Sequence, residues 1–308
     1  MKKYPISKEF FPFSHIAPPI RSPKLAGFLG SLMRPPLFLG ASSEVYVDKE
    51  YAESYDGEKV RLFIFTPKKL EGELPCLVYY HGGGFMFGAA GYHYKIAKKY
   101  ATEVGCKVIF PEYRLAPKHR HPTPAEDCYA ALCYAFDKAD RLDIDPTSVA
   151  VGGDSAGGAL AAAVCQMARD RGAASPCAQM LIYPVTDSRM DTASNRDFTD
   201  TPMWNSTLSK MMWQGYLPSG IVPDKSYASP AEAESFSGLP EAYVETAEFD
   251  CLRDEGIAYA HSLLESGVTV TLNETKGTMH GFDIVTTAPA TVEAVSRRIE
   301  FLKKALHG

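Results

Sequence analysis

The most constraining feature of the sequence is Gly153-Asp154-Ser155-Ala156-Gly157, which lies between a short apolar run and the helix-forming stretch Ala156–Arg171. A tight turn between a strand and a helix strains its central residue, so the neighbouring residues must be small. In return the turn exposes the serine above the positive end of the helix dipole. A phosphate-binding loop would need a lysine after the last glycine, and Gly158 and Ala159 follow instead. Dinucleotide-binding spacing is absent as well. The pattern therefore predicts Ser155 as a nucleophile.

Strand-like and helix-like stretches alternate along most of the chain. Such alternation predicts a mainly parallel sheet with helices on both faces. Val45–Ala52 and Lys59–Phe65 alternate apolar and polar residues, which predicts an antiparallel pair at one edge. The other predicted strands are Cys76–Tyr80, Lys107–Phe110, Ser148–Val151, Ala178–Tyr183, Ala242–Thr246 and Val268–Leu272. The predicted helices are His93–Glu103, Pro124–Lys138, Ala156–Arg171, Asp254–Glu265 and Pro289–Leu306.

Two stretches break this alternation. Residues 1–43 are rich in proline and phenylalanine and show little strand or helix periodicity, so we expect them to pack over another part of the protein. Residues 187–227 contain no clear strand but hold both tryptophans and four of the ten methionines. The apolar residues Leu208, Met211, Met212 and Tyr216 recur there at helical spacing. This second stretch is either a lid or binding element, or extra packing on the sheet.

A second motif, His81-Gly82-Gly83-Gly84-Phe85, follows the predicted strand Cys76–Tyr80. Acyl transfer builds negative charge on a carbonyl oxygen, and N–H donors aimed at that oxygen are often the largest catalytic contribution. Consecutive glycines let backbone N–H groups approach a ligand without Cβ atoms in the way. We therefore predict an oxyanion hole formed by the N–H groups of Gly83, Gly84 and Ala156. A plain flexible turn is the alternative, and the position of the motif at a strand end argues against it.

A serine nucleophile needs a base, and His280 is the predicted one. It follows the last predicted strand and precedes the last helix, in the order Ser, acid, His. His81 is the competing histidine, but it belongs to the glycine-rich segment, which we expect it to orient.

The acid is expected after the predicted strand Ala242–Thr246, where Glu248, Asp250, Asp254 and Glu255 all lie. We predict Asp250, because the chain leaves the sheet there. Asp254 and Glu255 are expected in the first turn of the next helix, where acids offset the helix dipole. The role of Asp250 would be to hold the imidazole of His280 in the correct tautomer.

Composition limits the other functions. The formal net charge is −5 and no basic run is present, so nucleic acid is not expected as a partner. The seven cysteines are scattered without zinc-binding spacing, which predicts reduced core residues and no metal site. The first residues do not form a signal peptide, and no apolar stretch reaches the ~20 residues that span a bilayer. We therefore expect a cytoplasmic protein without a membrane span. The chemistry requires no cofactor.

Together these motifs resemble the hormone-sensitive-lipase group of bacterial carboxylesterases (family IV), over about residues 75–285. They are His81-Gly82-Gly83-Gly84-Phe85, Tyr113-Arg114-Leu115-Ala116-Pro117, the glycine-flanked Ser155, Asp250-x-Leu252-x-Asp254-Glu255 and His280-Gly281-Phe282. The resemblance implies one α/β-hydrolase domain over residues 1–308, with a helical cap built from residues 1–43 and 187–227. It also implies short-chain acyl esters as small-molecule substrates and a homodimer. Phe85 and Phe282 of these motifs, with Trp204 and Met211 of residues 187–227, are expected to line the substrate pocket.

The sequence departs from the family pattern beside the Tyr113–Pro117 motif. Glu112 stands where the family usually has Asp, and Lys118-His119-Arg120-His121 is unusually basic, which we interpret as a solvated loop. The sequence predicts a serine carboxylesterase, with three alternatives. They are a sugar-ester deacetylase, an amide or peptide hydrolase, and a ligand-binding receptor on the same fold. Receptors that resemble this family lack the catalytic histidine, whereas His280 is present here.

Overall fold

The computed structural model describes residues 4–11, 13–16, 22–32, 43–220, 222 and 224–308. These residues form one eight-stranded sheet. Its strands are β1 (Val45–Glu53), β2 (Lys59–Pro67), β3 (Leu74–Tyr80), β4 (Lys107–Glu112), β5 (Ile144–Asp154), β6 (Ala178–Ile182), β7 (Glu241–Phe249) and β8 (Val270–Met279). Their order in the sheet is β1-β2-β4-β3-β5-β6-β7-β8.

The sheet is parallel from β4 to β8, and β2 pairs antiparallel with both β1 and β4. The predicted edge pair and mainly parallel sheet are therefore confirmed. Several strands extend beyond their predicted bounds, and the longest extension at one end is that of β8, which ends at Met279 where Leu272 was predicted. The second half of β8 is polar, with Asn273, Glu274 and Thr275 paired to β7, so it lacks the apolar pattern from which a strand is predicted.

Helices cover both faces of this sheet, as predicted. The α-helices of the described residues are α1 (Pro23–Leu32), α2 (Gly91–Tyr100), α3 (Thr123–Asp137), α4 (Ala139–Leu142), α5 (Ala156–Asp170), α6 (Ala193–Asp197), α7 (Ser206–Tyr216), α8 (Arg253–Glu265) and α9 (Pro289–His307). Alternate residues of β2 show the two layers. Leu62 and Ile64 join the core beneath α3, α5 and α8, whereas Phe63 and Phe65 join the core beneath α2 and α9.

Helix α1 is a difference from the sequence prediction, which found little periodicity in the N-terminal residues. The helix begins at Ser22-Pro23, where the Leu25 N–H donates to Ser22 Oγ at 3.3 Å. A serine cap followed by proline at the first helical position is a helix-start signal that the surrounding prolines obscured. The helix packs against α7. Residues 1–3, 12, 17–21 and 33–42 of the predicted 1–43 cap segment lie outside the described residues.

The stretch 187–227 contains α6 and α7 and no strand in its described part, as predicted. Asn205 caps α7, since its side chain accepts the Leu208 N–H at 3.1 Å. The apolar face of α7 is buried, and Tyr216 stacks on Phe85 with ring centroids 3.8 Å apart. This helix therefore contributes to the core.

Candidate active site

The Ser155 turn joins β5 to α5, as the sequence predicted. Ser155 has φ +56° and ψ −118°, a strained backbone conformation, and the Ser155 N–H helps to hold it by donating to Ile182 O at 2.8 Å. A Cβ on Gly157 would lie 2.0 Å from Tyr80 O, so only glycine fits there. Because Gly157 has no side chain, the turn can lie directly against the end of β3.

The structure brings Ser155, His280 and Asp250 together from the ends of three different strands. Ser155 Oγ lies 2.9 Å from His280 Nε2, and His280 Nδ1 lies 2.6 Å from Asp250 Oδ2. Because a carboxylate only accepts, the Nδ1 atom carries the proton and Nε2 is free to accept one from Ser155. Asp250 has no exposed surface, and its other oxygen accepts the Leu252 N–H at 3.0 Å.

The glycine-rich segment follows β3 beside this turn. In the described part of the chain, the N–H groups of Gly83, Gly84 and Ala156 donate to no protein acceptor. The Gly83 N–H shares a peptide group with the Gly82 carbonyl, and the Gly84 N–H shares one with the Gly83 carbonyl. Both carbonyls accept hydrogen bonds, which fix the two peptide groups. His81 Nδ1 donates to Gly82 O at 2.7 Å, and the N–H groups of Met86 and Phe87 donate to Gly83 O. These bonds orient and polarise the Gly83 and Gly84 N–H groups as donors.

His81 lies beneath the loop rather than beside Ser155. Its ring stacks on Tyr113 at 4.4 Å, and the Tyr113 hydroxyl donates to His81 O at 2.7 Å. Burial, reinforced by the nearby His93, lowers the pKa of His81 to about 3. A neutral ring that donates to the loop fits the orienting role expected from the sequence.

The four residues predicted to line a pocket lie at different depths. Trp204 faces the glycine-rich loop, since a Cβ on Gly84 would lie 2.7 Å from its ring, and its centroid is 6.0 Å from that of His280. Met211 and Trp204 keep 8% and 7% of their surface exposed. Phe85 and Phe282 have none. The Phe282 ring packs on Phe10 and Tyr183 in the core.

Sequence reasoning missed a buried network behind His280. The Tyr183 ring meets the His280 ring edge-on at 4.8 Å, and the Tyr183 hydroxyl donates to Asp283 Oδ1 at 2.7 Å. Arg298 of α9 donates to Asp283 Oδ2 at 2.8 Å and also pairs with Glu245 of β7. No local signal reveals this network, because the contacts of Tyr183 with Asp283 and of Arg298 with Glu245 join residues more than fifty positions apart.

Two further expectations need correction. Glu255 lies in the first turn of α8 as predicted, but it is 2% exposed and accepts the Thr186 N–H at 2.8 Å. It therefore fixes the chain after β6 instead of offsetting the helix dipole in solvent. In the basic run beside Pro117, Lys118 is exposed, but His121 is 5% exposed and its N–H donates to Tyr216 O at 3.0 Å. That run is therefore only partly solvated.

In the described ranges, no group of three or more His, Cys, Asp or Glu side chains is arranged to hold a metal ion. All seven cysteines are free thiols, and five of them are buried, as expected. None of the helices in the described part of the chain combines the length and apolarity that crossing a bilayer requires.

Comparison with known proteins agrees with this architecture. A family model of the alpha/beta hydrolase fold matches residues 77–284. Carboxylesterase NlhH of Mycobacterium tuberculosis is 35% identical over 265 residues, which are 84% of this chain and 83% of the relative. Ethyl acetate hydrolase of Pseudomonas putida is 33% identical over 74% of this chain and 72% of its own length. The solved structure of a bacterial heroin esterase has a TM-score of 0.84 and 38% identity, covering 92% of this chain and 90% of the other.

The chain belongs to the α/β-hydrolase family. Within that family it is a hormone-sensitive-lipase-like carboxylic ester hydrolase, as the ordered motifs of the sequence indicated.

Proposed function

We propose that the protein hydrolyses short-chain acyl esters through Ser155, His280 and Asp250. The observation that carries the proposal is the continuous hydrogen-bond chain from Ser155 Oγ through His280 to Asp250, with links of 2.9 and 2.6 Å. A nucleophile in contact with a base, and the base in contact with an orienting acid, is the arrangement that acyl transfer requires.

In this mechanism Ser155 Oγ attacks the ester carbonyl while His280 Nε2 takes its proton. The N–H groups of Gly83, Gly84 and Ala156 bind the negative oxygen of the tetrahedral intermediate. His280 then gives the proton to the leaving alkoxide, which departs as the alcohol and leaves an acyl group on Ser155. Water, activated by the same imidazole, releases the carboxylic acid. Asp250 stabilises the imidazolium at both steps.

The preference for short acyl chains rests on Trp204. Its indole lies against the glycine-rich loop and near His280, and its Nε1–H donates to Ser209 Oγ at 2.8 Å, which holds the ring in place. A large, fixed ring at this position limits the space beside the reacting carbonyl. The likeness to an ethyl acetate hydrolase supports the same preference.

The test is hydrolysis of p-nitrophenyl acetate, butyrate, octanoate and palmitate by the purified protein, with Ser155→Ala as the control. We expect kcat/KM to be highest for acetate or butyrate and turnover to disappear in the variant. A maximum at palmitate would contradict the short-chain preference. Undiminished turnover in the variant would contradict the role of Ser155. Hydrolysis restricted to acetylated saccharides would favour the deacetylase alternative.

A further inference from the structure

We propose that Asp154 and His93 form a buried positioning pair that fixes the oxyanion loop, residues 81–84, relative to Ser155. The inference rests on the proposed function, because it assigns these two residues a role in the same reaction. Neither side chain touches the reacting atoms. They act through the backbone that carries the oxyanion donors.

The Asp154 carboxylate is the point at which three elements meet. Its Oδ1 atom accepts the Gly82 N–H at 3.1 Å and the Tyr79 hydroxyl at 2.9 Å. Its Oδ2 atom lies 3.2 Å from His93 Nε2 on α2. Asp154 is 2% exposed, and no Lys or Arg of the described chain pairs with it. A buried carboxylate needs such hydrogen bonds, because burial without them is costly.

His93 faces Asp154 in a single tautomer. The Ala90 N–H donates to His93 Nδ1 at 2.9 Å, so Nδ1 is the accepting nitrogen and the proton lies on Nε2. The neutral imidazole therefore donates to Asp154 Oδ2. The Gly82 N–H, the Tyr79 hydroxyl and the His93 Nε2–H all donate to this carboxylate, so it accepts on both oxygens and is charged.

The loop rests directly on this carboxylate. A Cβ on Gly82 would lie 2.2 Å from Asp154 Oδ2, so no side chain separates the loop from the pair. Asp154 also directly precedes Ser155 in the chain. One residue thus supports the nucleophile through its backbone and the oxyanion donors through its side chain. Because a misplacement of about 1 Å can cost about 100-fold in rate, loss of this support is expected to reduce kcat.

The Asp154→Asn variant tests the charge without changing the shape. Its amide oxygen can still accept from Gly82 and Tyr79, but its NH₂ group would face the Nε2–H of His93. Moving the His93 proton to Nδ1 would create the same conflict with the Ala90 N–H. We therefore expect kcat to fall by about 10- to 100-fold with KM within about twofold of wild type.

Variants of His93 test whether restoring a hydrogen bond between positions 93 and 154 restores kcat. Glutamine can place an N–H near the position of Nε2, so His93→Gln should keep most of the activity. His93→Phe removes the donor and should lose as much kcat as Asp154→Asn. In the double variant Asp154→Asn/His93→Gln, the glutamine amide can turn its oxygen toward the asparagine NH₂. We expect that variant to regain at least about tenfold in kcat over Asp154→Asn alone.

A transition-state analogue separates positioning of the donors from general damage. A trifluoromethyl ketone forms a tetrahedral adduct with the serine and places an oxyanion in the hole. Its Ki should rise in Asp154→Asn and His93→Phe by the same factor by which kcat falls. His307→Phe is the matched control, since His307 likewise donates through Nε2, to Val104 O at 2.9 Å, away from the site. Its kcat and Ki should match wild type.

Three results would overturn the inference. They are wild-type kcat in Asp154→Asn, a Ki that does not follow kcat, and a double variant no better than Asp154→Asn. Melting temperatures and circular dichroism show that each variant is folded. If the wild type is no faster than Ser155→Ala, the proposed function fails and this inference fails with it. If the wild type is active and Asp154→Asn equals it, only the positioning pair is contradicted.

Discussion

At the scale of single residues, burial changes what a side chain does, and Glu255 is the clearest case. One of its oxygens accepts the N–H groups of Thr186 and Asp187, and the other accepts from Asn195. Burial raises the pKa of Glu255 to about 8, against an ordinary value near 4.5. A folded-state pKa above the unfolded one means that the native protein holds the proton more tightly. Its contribution to stability is therefore complete at low pH and is lost as the pH rises from about 4.5 to about 8.

The Glu255→Gln variant removes this titration while keeping an oxygen for the Thr186 and Asp187 amides. We expect it to be more stable than wild type at about pH 9, by a few kcal/mol, and to lose that advantage below about pH 5. Urea unfolding at the two pH values measures the difference. A stability difference that does not change with pH would show that Glu255 does not titrate in this window.

Residue roles were predictable from the sequence where they follow from a local motif. The Ser155 turn and the glycine-rich segment are continuous pieces of chain, and their constraints are steric. His93 and Arg298 could not be found in this way, because each acts on a partner about fifty or more residues away. Glu255 was placed in the correct turn of α8, but its burial depends on the chain after β6, which the local pattern does not describe.

At the scale of elements, the segment from residue 187 to 227 is the part of the fold that the sequence left open between lid and packing. Helix α7 buries Met212 and Tyr216, whereas Trp204, before the helix, faces the site. The packing interpretation therefore applies to α7, whereas a lid or binding role for the segment stays a prediction. Helix α1 was missed because it is short and bounded by prolines, and the cap that it would form with α7 stays a prediction.

Truncating the Trp204 side chain tests whether this segment limits the length of the acyl chain that the site accepts. In Trp204→Ala the ratio of kcat/KM for octanoate to that for acetate should rise by about tenfold or more, because the space beside the glycine-rich loop opens. The loss of a buried indole should also cost about 3 kcal/mol of stability. Trp204→Phe, which keeps a ring, should give a smaller change in the ratio. A folded Trp204→Ala protein with an unchanged ratio would show that another element sets the chain length.

At the scale of the whole molecule, the C-terminal helix is tied to the sheet by a buried ion network. Arg298 of α9 has no exposed surface and pairs with Glu245 of β7 and with Asp283, which follows β8. Asp283 in turn accepts from Tyr183, whose ring contacts His280. The helix that ends the chain is thereby linked to the predicted base.

Removing Arg298 would leave the buried carboxylate of Glu245 and the partly buried carboxylate of Asp283 without their cationic partner. We expect Arg298→Met to lose about 3–5 kcal/mol of stability and also part of its kcat, because Tyr183 loses its anchor behind His280. Adding Glu245→Gln should restore part of the stability. Arg297→Met, at the exposed neighbour, should leave both properties near wild type. Thermal unfolding and ester hydrolysis measure the two effects, and an unchanged melting temperature in Arg298→Met would contradict the proposed link.

The pairing of β3 with β5 has a consequence for how such an enzyme can diversify. Tyr80 and Gly153 are register partners, so the glycine-rich segment and the serine turn leave neighbouring strands at the same level. Their separation is set by the spacing of adjacent strands, about 4.8 Å, and by backbone hydrogen bonds. Segments that follow other strands, such as residues 187–227, can then change in length and composition without moving the reacting groups. Over evolutionary time, changes in these segments can therefore alter which substrates are accepted while the reacting groups stay the same.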